Sequence, residues 1–285
     1  MDYGALNEDG KTDGVSGEHY DMAVYSKAVD YLNTEPFKHL SSLKYLTLYK
    51  DKLTGVELLE KDGLWAVRVT LPTSFLSYDT LHYPGAREAV FVNGTSDPLR
   101  YRLLETLPEK PYVIRLNEEL DLTGLKSSYE INPGHTYISY SRNKPEGALP
   151  ELLPPQKELT SQAVGLFQQN SYSEEDLKKY FNNGSVWFGI LEEEKLKSAC
   201  FVYKNYKSIW EIAGVRTLSD EQGKGYGRKV VISALHYLHN RNQTPRYEAE
   251  IRNNPSINLA QSLGLQEFLR IRHFLLEPRD RGQGA

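Results

Sequence analysis

The segment EQGKGYGRKVV, residues 221–231, places three glycines at alternate positions directly before a helical pattern. Fixing a glycine in one backbone conformation costs about 0.5–1 kcal/mol relative to alanine, so a cluster of glycines indicates a tight turn or a close approach of the backbone to another molecule. A helix beginning here would present unpaired N–H groups and the positive end of its dipole to the loop. The sequence therefore predicts an anion site at this junction.

Positive side chains in the same segment favour a phosphate or pyrophosphate. They are Lys224, Arg228 and Lys229. A Walker loop would need Gly-Lys-Ser/Thr, but Lys224 is followed by Gly225. A dinucleotide fingerprint would need G-x-G-x-x-G, whereas these glycines are spaced G-x-G-x-G. Neither template fits, and a glycine-rich structural turn remains the alternative.

The elements that position this loop are predicted from residue periodicity. Residues 208–218 predict a strand before the loop, and residues 227–241 repeat apolar side chains along one helical face. Ser173 is expected to cap a helix that Gly184 ends. Further strands are predicted at residues 186–194, 196–205, 246–252 and 269–276, and further helices at residues 157–170 and 255–265.

The front of the chain is also predicted to be α/β or α+β, with no catalytic signature. Its predicted helices cover residues 21–33, 36–49 and 97–107, and its strands residues 64–71, 88–94 and 136–142.

The 285-residue chain is long enough for two domains. Residues 143–155 contain four prolines and predict a linker. They separate an N-terminal α/β domain, residues 20–142, from a C-terminal domain, residues 156–278. Residues 1–19 and 279–285 are expected to be flexible ends.

Composition excludes several classes of function. The net charge of −4 disfavours nucleic acid as a partner, and the absence of a run of ~20 apolar residues disfavours a membrane span. The amino terminus lacks the apolar segment of a secretion signal. The only cysteine, Cys200, excludes an internal disulfide and fits a reducing compartment. We expect a cytoplasmic protein with neither nucleic-acid nor membrane partners.

Two segments of the chain resemble a known family. Residues 222–227 resemble the Q/R-x-x-G-x-G/A signature of the GNAT superfamily of N-acetyltransferases, and residues 253–265 resemble its downstream Asn-x-x-Ala/Ser…Leu-Gly-Phe segment. The resemblance covers roughly residues 157–278. It implies an α/β fold with a mixed, splayed central sheet flanked by helices. The plan resembles two-domain acyltransferases of the glycine N-acyltransferase type, which implies that the front half is a smaller, degenerate GNAT-like domain.

The resemblance implies acetyl-CoA as the acyl donor and assigns residues to it. The pantetheine arm would pair with the backbone of Val215, Arg216 and Thr217. The residues implied to take the pyrophosphate are Gln222, Gly223, Lys224, Gly225, Tyr226, Gly227 and Arg228. Asn253 and Ser256 would lie against the pantetheine, although Asn253 is alternatively a plain helix cap.

The implied reaction is attack of a neutral amine on a thioester. An alkyl ammonium has a pKa of about 10 and must first lose a proton, for which a nearby carboxylate is the simplest base. Glu211 is the first candidate, because the family places its base on this strand and alternation puts Glu211 on one face with Ala213 and Val215. Glu250 is the second candidate. The alternative is that Glu211 pairs with a Lys or Arg on a solvated face.

The reaction also needs a general acid, for which the sequence offers two candidates. Many family members have a tyrosine where this chain has Ala260, so Tyr226 and Tyr203 are the remaining candidates to protonate the leaving thiolate. Cys200 has no basic neighbour in the sequence and predicts core packing rather than an acyl-enzyme. The histidines show no metal-ligand spacing, and no metal site is predicted.

The sequence thus predicts direct transfer of an acetyl group from acetyl-CoA to a primary amine, in a small molecule or a protein, within a ternary complex. The alternatives are an acyl-CoA-binding sensor without catalysis and a nucleotide-dependent phosphotransferase. The oligomeric state does not follow from the sequence.

Overall fold

The computed structural model describes residues 20–117, 119–141 and 151–279. The chain forms two compact units. The second is Tyr137–Leu269, and the first consists of the described residues on either side of it. The flexible ends predicted at residues 1–19 and 279–285 lie outside the described residues, apart from Arg279, and so does the part of the predicted linker up to residue 150. No helix of the described residues is long and apolar enough to cross a membrane.

The first unit combines four helices with a mixed sheet. The helices are α1 (Met22–Leu32), α2 (Leu40–Leu48), α3 (Ser77–His82) and α4 (Asp97–Glu105). The strands are β1 (Gly55–Lys61), β2 (Leu64–Pro72), β3 (Glu88–Gly94) and β4 (Tyr112–Leu116), with the first part of β5 (Tyr129–Ser141) and the last part of β10 (Gln266–Pro278). Their order is β1-β2-β3-β4-β10-β5, in which β3 and β4 are parallel.

The parallel pair is the centre of this unit. β3 and β4 are buried along their whole length, as expected for parallel strands covered on both faces. Their pairing runs without interruption from Glu88↔Tyr112 to Val92↔Leu116. Leu104 of α4 and Leu276 of β10 complete the core on one face.

The described residues of the second unit form four α-helices around a set of strands that is also mixed. The helices are α5 (Ser161–Gln168), α6 (Glu174–Asn182), α7 (Tyr226–Asn240) and α8 (Asn254–Ser262). The remaining strands are β6 (Val186–Glu192), β7 (Lys195–Tyr206), β8 (Ile209–Thr217) and β9 (Thr244–Glu250). The order is β5-β9-β8-β7-β6, and only β8 and β9 run parallel.

One face of this sheet carries the main core. Val230, Val231 and Leu235, which lie on the predicted apolar face of α7, pack with the β8 residues Trp210 and Ile212. The opposite face of β8 presents Glu211 and Ala213, because side chains alternate along a strand. The helix caps are also as predicted: the Ser173 side chain accepts a hydrogen bond from the Asp176 amide at 3.0 Å. The predicted α/β class with a mixed sheet is confirmed.

The division between the two units falls inside β5 and β10. Residues 137–140 pair with β9, whereas residues 272–276 pair with β4. The linker at residues 143–155 stays a prediction, because most of it lies outside the described residues. Alternation of apolar residues predicts that a segment is a strand. It does not predict which neighbours the strand joins, because pairing partners are distant in sequence.

Removing a buried side chain from the last strand should destabilise the first unit. Leu276 is fully buried, and we expect Leu276→Ala to lower the free energy of unfolding by about 2–5 kcal/mol because it leaves a cavity. Urea unfolding followed by tryptophan fluorescence measures this. Leu81→Ala is the matched control, since Leu81 is 65% exposed in the same unit. Equal effects of the two substitutions would contradict the placement of β10.

Candidate active site

The junction between β8 and α7 has the geometry of an anion site. Gly223 and Gly225 have φ angles of +80° and +82°, a left-handed conformation that costs residues with a side chain about 1–2 kcal/mol. A Cβ at either glycine would meet no atom within 4 Å. The requirement for glycine is therefore conformational, and the space in front of the loop is open.

The first turn of α7 leaves amides available. Gly225 is the N-cap, and its carbonyl accepts the first helical bond, from the Lys229 amide at 3.1 Å. No side chain caps this end of the helix. Within the described part of the chain, the amides of Tyr226, Gly227 and Arg228 thus remain available to an anion, in the positive field of the helix.

The cationic side chains near the loop are held by protein partners. Lys224 Nζ and Lys197 Nζ each lie 2.6 Å from a different oxygen of Glu221. These two lysines lower the pKa of the buried Glu221 to about 2, so the carboxylate stays ionised. Its negative charge is balanced by the lysines beside the loop. Arg228 donates to the Ser262 carbonyl at 2.6 Å. The lysine and arginine predicted to meet the phosphates are therefore anchored, and the backbone amides are the groups left for a ligand.

A groove opens between β8 and β9. Among the described residues their parallel pairing runs only from Ile209↔Thr244 to Ile212↔Tyr247. Beyond these pairs, β8 stays paired with β7 as far as Thr217, and β9 stays paired with β5 as far as Glu250. The two strands therefore part in the middle of the sheet, and the groove begins where their pairing ends.

A bulge in β8 lies at the start of this groove. The register between β7 and β8 shifts between Ala199 and Phe201, which leaves Gly214 and Val215 in a bulge. Gly214 has a φ of +61°, and a Cβ there would lie 2.6 Å from the Phe201 ring. Only glycine fits this position. The residue type at position 214 therefore specifies the bulge, which lies where β8 leaves β9.

Buried charges line the face of the sheet beside the groove. Arg246 Nη1 donates to Glu211 Oε2 at 2.6 Å, and Asn205 Nδ2 donates to the same oxygen at 3.1 Å. Arg246 Nη2 donates to Ser139 Oγ at 2.8 Å and to Glu248 Oε2. We call Glu211, Arg246 and Glu248 the carboxylate cluster.

The cluster has more negative than positive charge, because two carboxylates share one guanidinium. Burial raises the pKa of Glu211, and the Glu248 carboxylate raises it further, while Arg246 opposes both effects. Burial raises the pKa of Tyr172, and the carboxylates of Glu211 and Glu248 raise it further, while the backbone of Gly214 opposes them. Tyr172 therefore experiences the negative charge of the cluster.

The residues predicted for the pantetheine arm lie along the groove. Val215, Arg216 and Thr217 form the end of β8. The Val215 carbonyl accepts a hydrogen bond from Asn170 Nδ2 at 3.2 Å, so part of this backbone already has a protein partner. Asn253 caps α8 by accepting from the Ser256 amide at 3.2 Å, which is the alternative role that the sequence left open.

The predicted catalytic residues occupy different settings. Glu211 does pair with an arginine, but in the interior of the unit rather than on a solvated face. Glu250 accepts a hydrogen bond from Arg252 Nε at 2.8 Å at the end of β9. Tyr226 donates to Glu192 Oε1 at 2.7 Å, and this hydrogen bond raises its pKa.

Two negative expectations can be compared with the structure. Cys200 is fully buried, its thiol donates to the Val230 carbonyl at 3.4 Å, and burial raises its pKa, so it packs in the core as predicted. Ala260 is also fully buried and provides no acid. Tyr203, an alternative acid, is 1% exposed.

Sequence reasoning missed Arg246, Glu248, Ser139 and Tyr172. The alternation in RYEAE, residues 246–250, puts Arg246 and Glu248 on one face and was a usable signal. Ser139 and Tyr172 gave none, because Ser139 lies on β5 and Tyr172 in the loop between α5 and α6, both distant in sequence from the cluster.

The sheet of this unit is mixed, its parallel strands diverge, and the N-terminus of α7 has no side-chain cap. These features agree with the fold that the resemblance to GNAT-type acyltransferases implied. Comparison with protein-family models matches GNAT acetyltransferase over residues 151–269. The matched segment is thus similar to a GNAT acetyltransferase domain, and it includes the loop between β8 and α7 and the groove between β8 and β9. A search of curated proteins found no match to the chain.

Solved structures are also similar to this chain. A GCN5-related N-acetyltransferase from Kribbella flavida is 12% identical, with 86% of this chain and 96% of that chain covered and a TM-score of 0.50. A GCN5-related N-acetyltransferase from Sphaerobacter thermophilus is also 12% identical, with coverages of 93% and 94% and a TM-score of 0.49. A tandem GNAT protein from the clavulanic acid biosynthesis pathway is 10% identical, with coverages of 90% and 95% and a TM-score of 0.49.

The first unit lacks the features of this site. Its parallel strands β3 and β4 stay paired along their shared length, so no groove opens between them. The helix that follows β3 begins with Asp97 and Pro98, which supply a negative charge and no amide from the proline. Both features disfavour an acyl-CoA site there and agree with the degenerate domain that the resemblance implied.

Placing a carboxylate at the loop should weaken CoA binding. A carboxylate about 4 Å from a phosphate near a protein surface is repelled by about 4 kcal/mol, so we expect Gly225→Asp to raise the Kd for CoA at least tenfold. Asp and Asn tolerate left-handed φ and both cap helices, so Gly225→Asn is a matched neutral control. Isothermal titration calorimetry measures both. Similar affinities for the two variants would remove the loop from the binding site.

The ion pairs of Glu221 should make stability depend on pH. Its pKa is about 2 in the folded protein and is lowered from 4.5, so its stabilising effect is complete above about pH 4.5 and is lost as the pH falls towards 2. We expect Glu221→Gln to lower the urea midpoint at pH 7, and the difference from wild type to narrow at pH 3. Glu175→Gln, on an exposed helix face, is the control. A difference that stays constant with pH would contradict the ion-pair assignment.

Proposed function

We propose that this protein transfers an acetyl group from acetyl-CoA to a primary amine by direct attack within a ternary complex. The observation that carries the proposal is the set of available amides at Tyr226, Gly227 and Arg228, which open onto the groove between β8 and β9. A pyrophosphate is the natural ligand of such a helix N-terminus. An extended pantetheine arm suits a groove between two strand edges, because its amides can hydrogen-bond as a strand does.

Direct transfer is favoured over a covalent intermediate. Cys200 is fully buried with a raised pKa, so it cannot serve as an accessible thiolate nucleophile. The amine must therefore attack the thioester itself, with donor and acceptor bound together. Proximity of the two reactants in one site supplies a large part of the rate enhancement of such reactions.

The carboxylate cluster supports an amine as the acceptor. Its excess negative charge attracts an ammonium, and a carboxylate there can remove the proton that blocks attack. A small amine and a protein amine both fit this chemistry. The single cysteine is free and buried, which is consistent with a reducing compartment, and we propose that the protein acts in the cytoplasm. We propose neither nucleic-acid nor membrane partners.

Release of free thiol from acetyl-CoA tests the proposal directly. The wild-type protein is mixed with acetyl-CoA and a panel of alkyl amines, amino acids, amino sugars and lysine peptides, and CoA thiol is measured with a chromogenic disulfide. We expect amine-dependent release with at least one class. Binding of acetyl-CoA without release across the panel would favour the sensor, and stabilisation by Mg-ATP but not by CoA would favour the phosphotransferase.

A further inference from the structure

We propose that Glu248 is the carboxylate that contacts the acceptor's amine and takes its proton, and that Arg246 and Glu211 are positioning residues that hold Glu248 in place. This inference rests on the proposed acyl transfer and names the residue that performs one step of it. Three observations support it: the position of Glu248 on β9, its access, and the charge of the cluster.

Glu248 lies where the two parallel strands separate. The last pair between them is Ile212↔Tyr247, so Glu248 is the first residue of β9 beyond the pairing, and alternation puts it on the same face as Arg246. An arm inserted between the strands cannot pass the point at which they are hydrogen-bonded to each other. The reacting end of the donor must therefore stop beside Glu248.

Access separates Glu248 from Glu211. The side chain of Glu248 is 14% exposed, whereas the side chains of Glu211 and Arg246 are 3% and 4% exposed. Hydrogen bonds to Glu248 from the described residues all go to Oε2, which leaves Oε1 available for an amine or a water. A base must lie within hydrogen-bond reach of the proton that it removes, and Glu248 meets this condition better than Glu211.

The charges of the cluster explain why Glu211 and Arg246 lie beside Glu248. Glu211 neutralises the buried guanidinium, and the same guanidinium holds one oxygen of Glu248, as does Ser139. The pair Glu211–Arg246 thus fixes the orientation of Glu248 without removing its charge from the site. An incoming ammonium supplies the positive charge that the cluster lacks.

The chemical step balances on this assignment. Glu248 takes one proton from R–NH3⁺ and later returns it to solvent. The neutral nitrogen attacks the thioester carbon, so the C–N bond forms, the C–S bond breaks, and the sulfur leaves with the bonding electron pair. The second proton on nitrogen passes to the thiolate. The products are the acetylated amine, CoA thiol and one proton in solvent.

Isosteric variants test the assignment through the pH profile of kcat. We expect Glu248→Gln to lower kcat about 100-fold or more at pH 7, with the loss shrinking towards pH 10, where the amine is already neutral. Glu211→Gln should lower kcat by a factor that does not change with pH, because it disturbs position rather than proton transfer. Glu194→Gln, in the exposed turn between β6 and β7, is the matched control and should match wild type.

Binding and folding measurements keep the test decisive. Each variant's Kd for CoA and unfolding midpoint are measured, and Glu248→Gln should retain both. Glu248→Asp keeps a charge beside Arg246 and should fold and retain about a tenth of wild-type kcat, recovering part of the pH profile.

The outcomes distinguish this inference from the proposed function. If wild type releases no thiol with any amine, both are overturned. If wild type turns over, and Glu248→Gln keeps its kcat within threefold or the pH-dependent loss belongs to Glu211→Gln, only the role of Glu248 is overturned.

Discussion

The end of backbone pairing between β8 and β9, at Ile212↔Tyr247, is the constraint on which the site depends. Parallel strands that stayed paired would present a continuous sheet, as β3 and β4 do in the first unit. Here each strand keeps only its outer partner, and a groove opens within the sheet. The bulge at Gly214 and Val215 lies in β8 just beyond this last pair, and Gly214 has a left-handed φ of +61°.

On the proposed function, the groove and the loop would contact different parts of one donor. The helix N-terminus has backbone amides available for a diphosphate, while the lysines beside it are already paired with Glu221. A substitution of a lysine and a substitution of a glycine would therefore act through different physical effects. Where the pairing of β8 and β9 ends, Arg246 pairs with two carboxylates in a buried setting, which concentrates negative charge at the place where the proposed acceptor amine would bind.

Local residue patterns predict some features of this protein and not others. The glycine loop, the N-cap Ser173 and the apolar face of α7 depend on neighbours within one or two helical turns, and the structure has them where the sequence predicted them. Glu211 was selected from strand alternation, and its side chain does lie on the face opposite the main core. Its partner Arg246 is 35 residues away in sequence, so the ion pair had no local signal. The division of the chain within β5 and β10 had no local signal for the same reason, since the pairing of these strands depends on strands that are distant in sequence.

The sequence by itself determined the fold class, the glycine loop between β8 and α7 and the absence of a tyrosine at Ala260, because these follow from residue type and short-range spacing. Only the tertiary structure decided that β8 and β9 part after Ile212, that Glu211 is buried, and that Glu211, Glu248 and Ser139 all accept hydrogen bonds from Arg246. Register, burial and charge pairing are properties of elements that the folded chain brings together, and no single segment contains them.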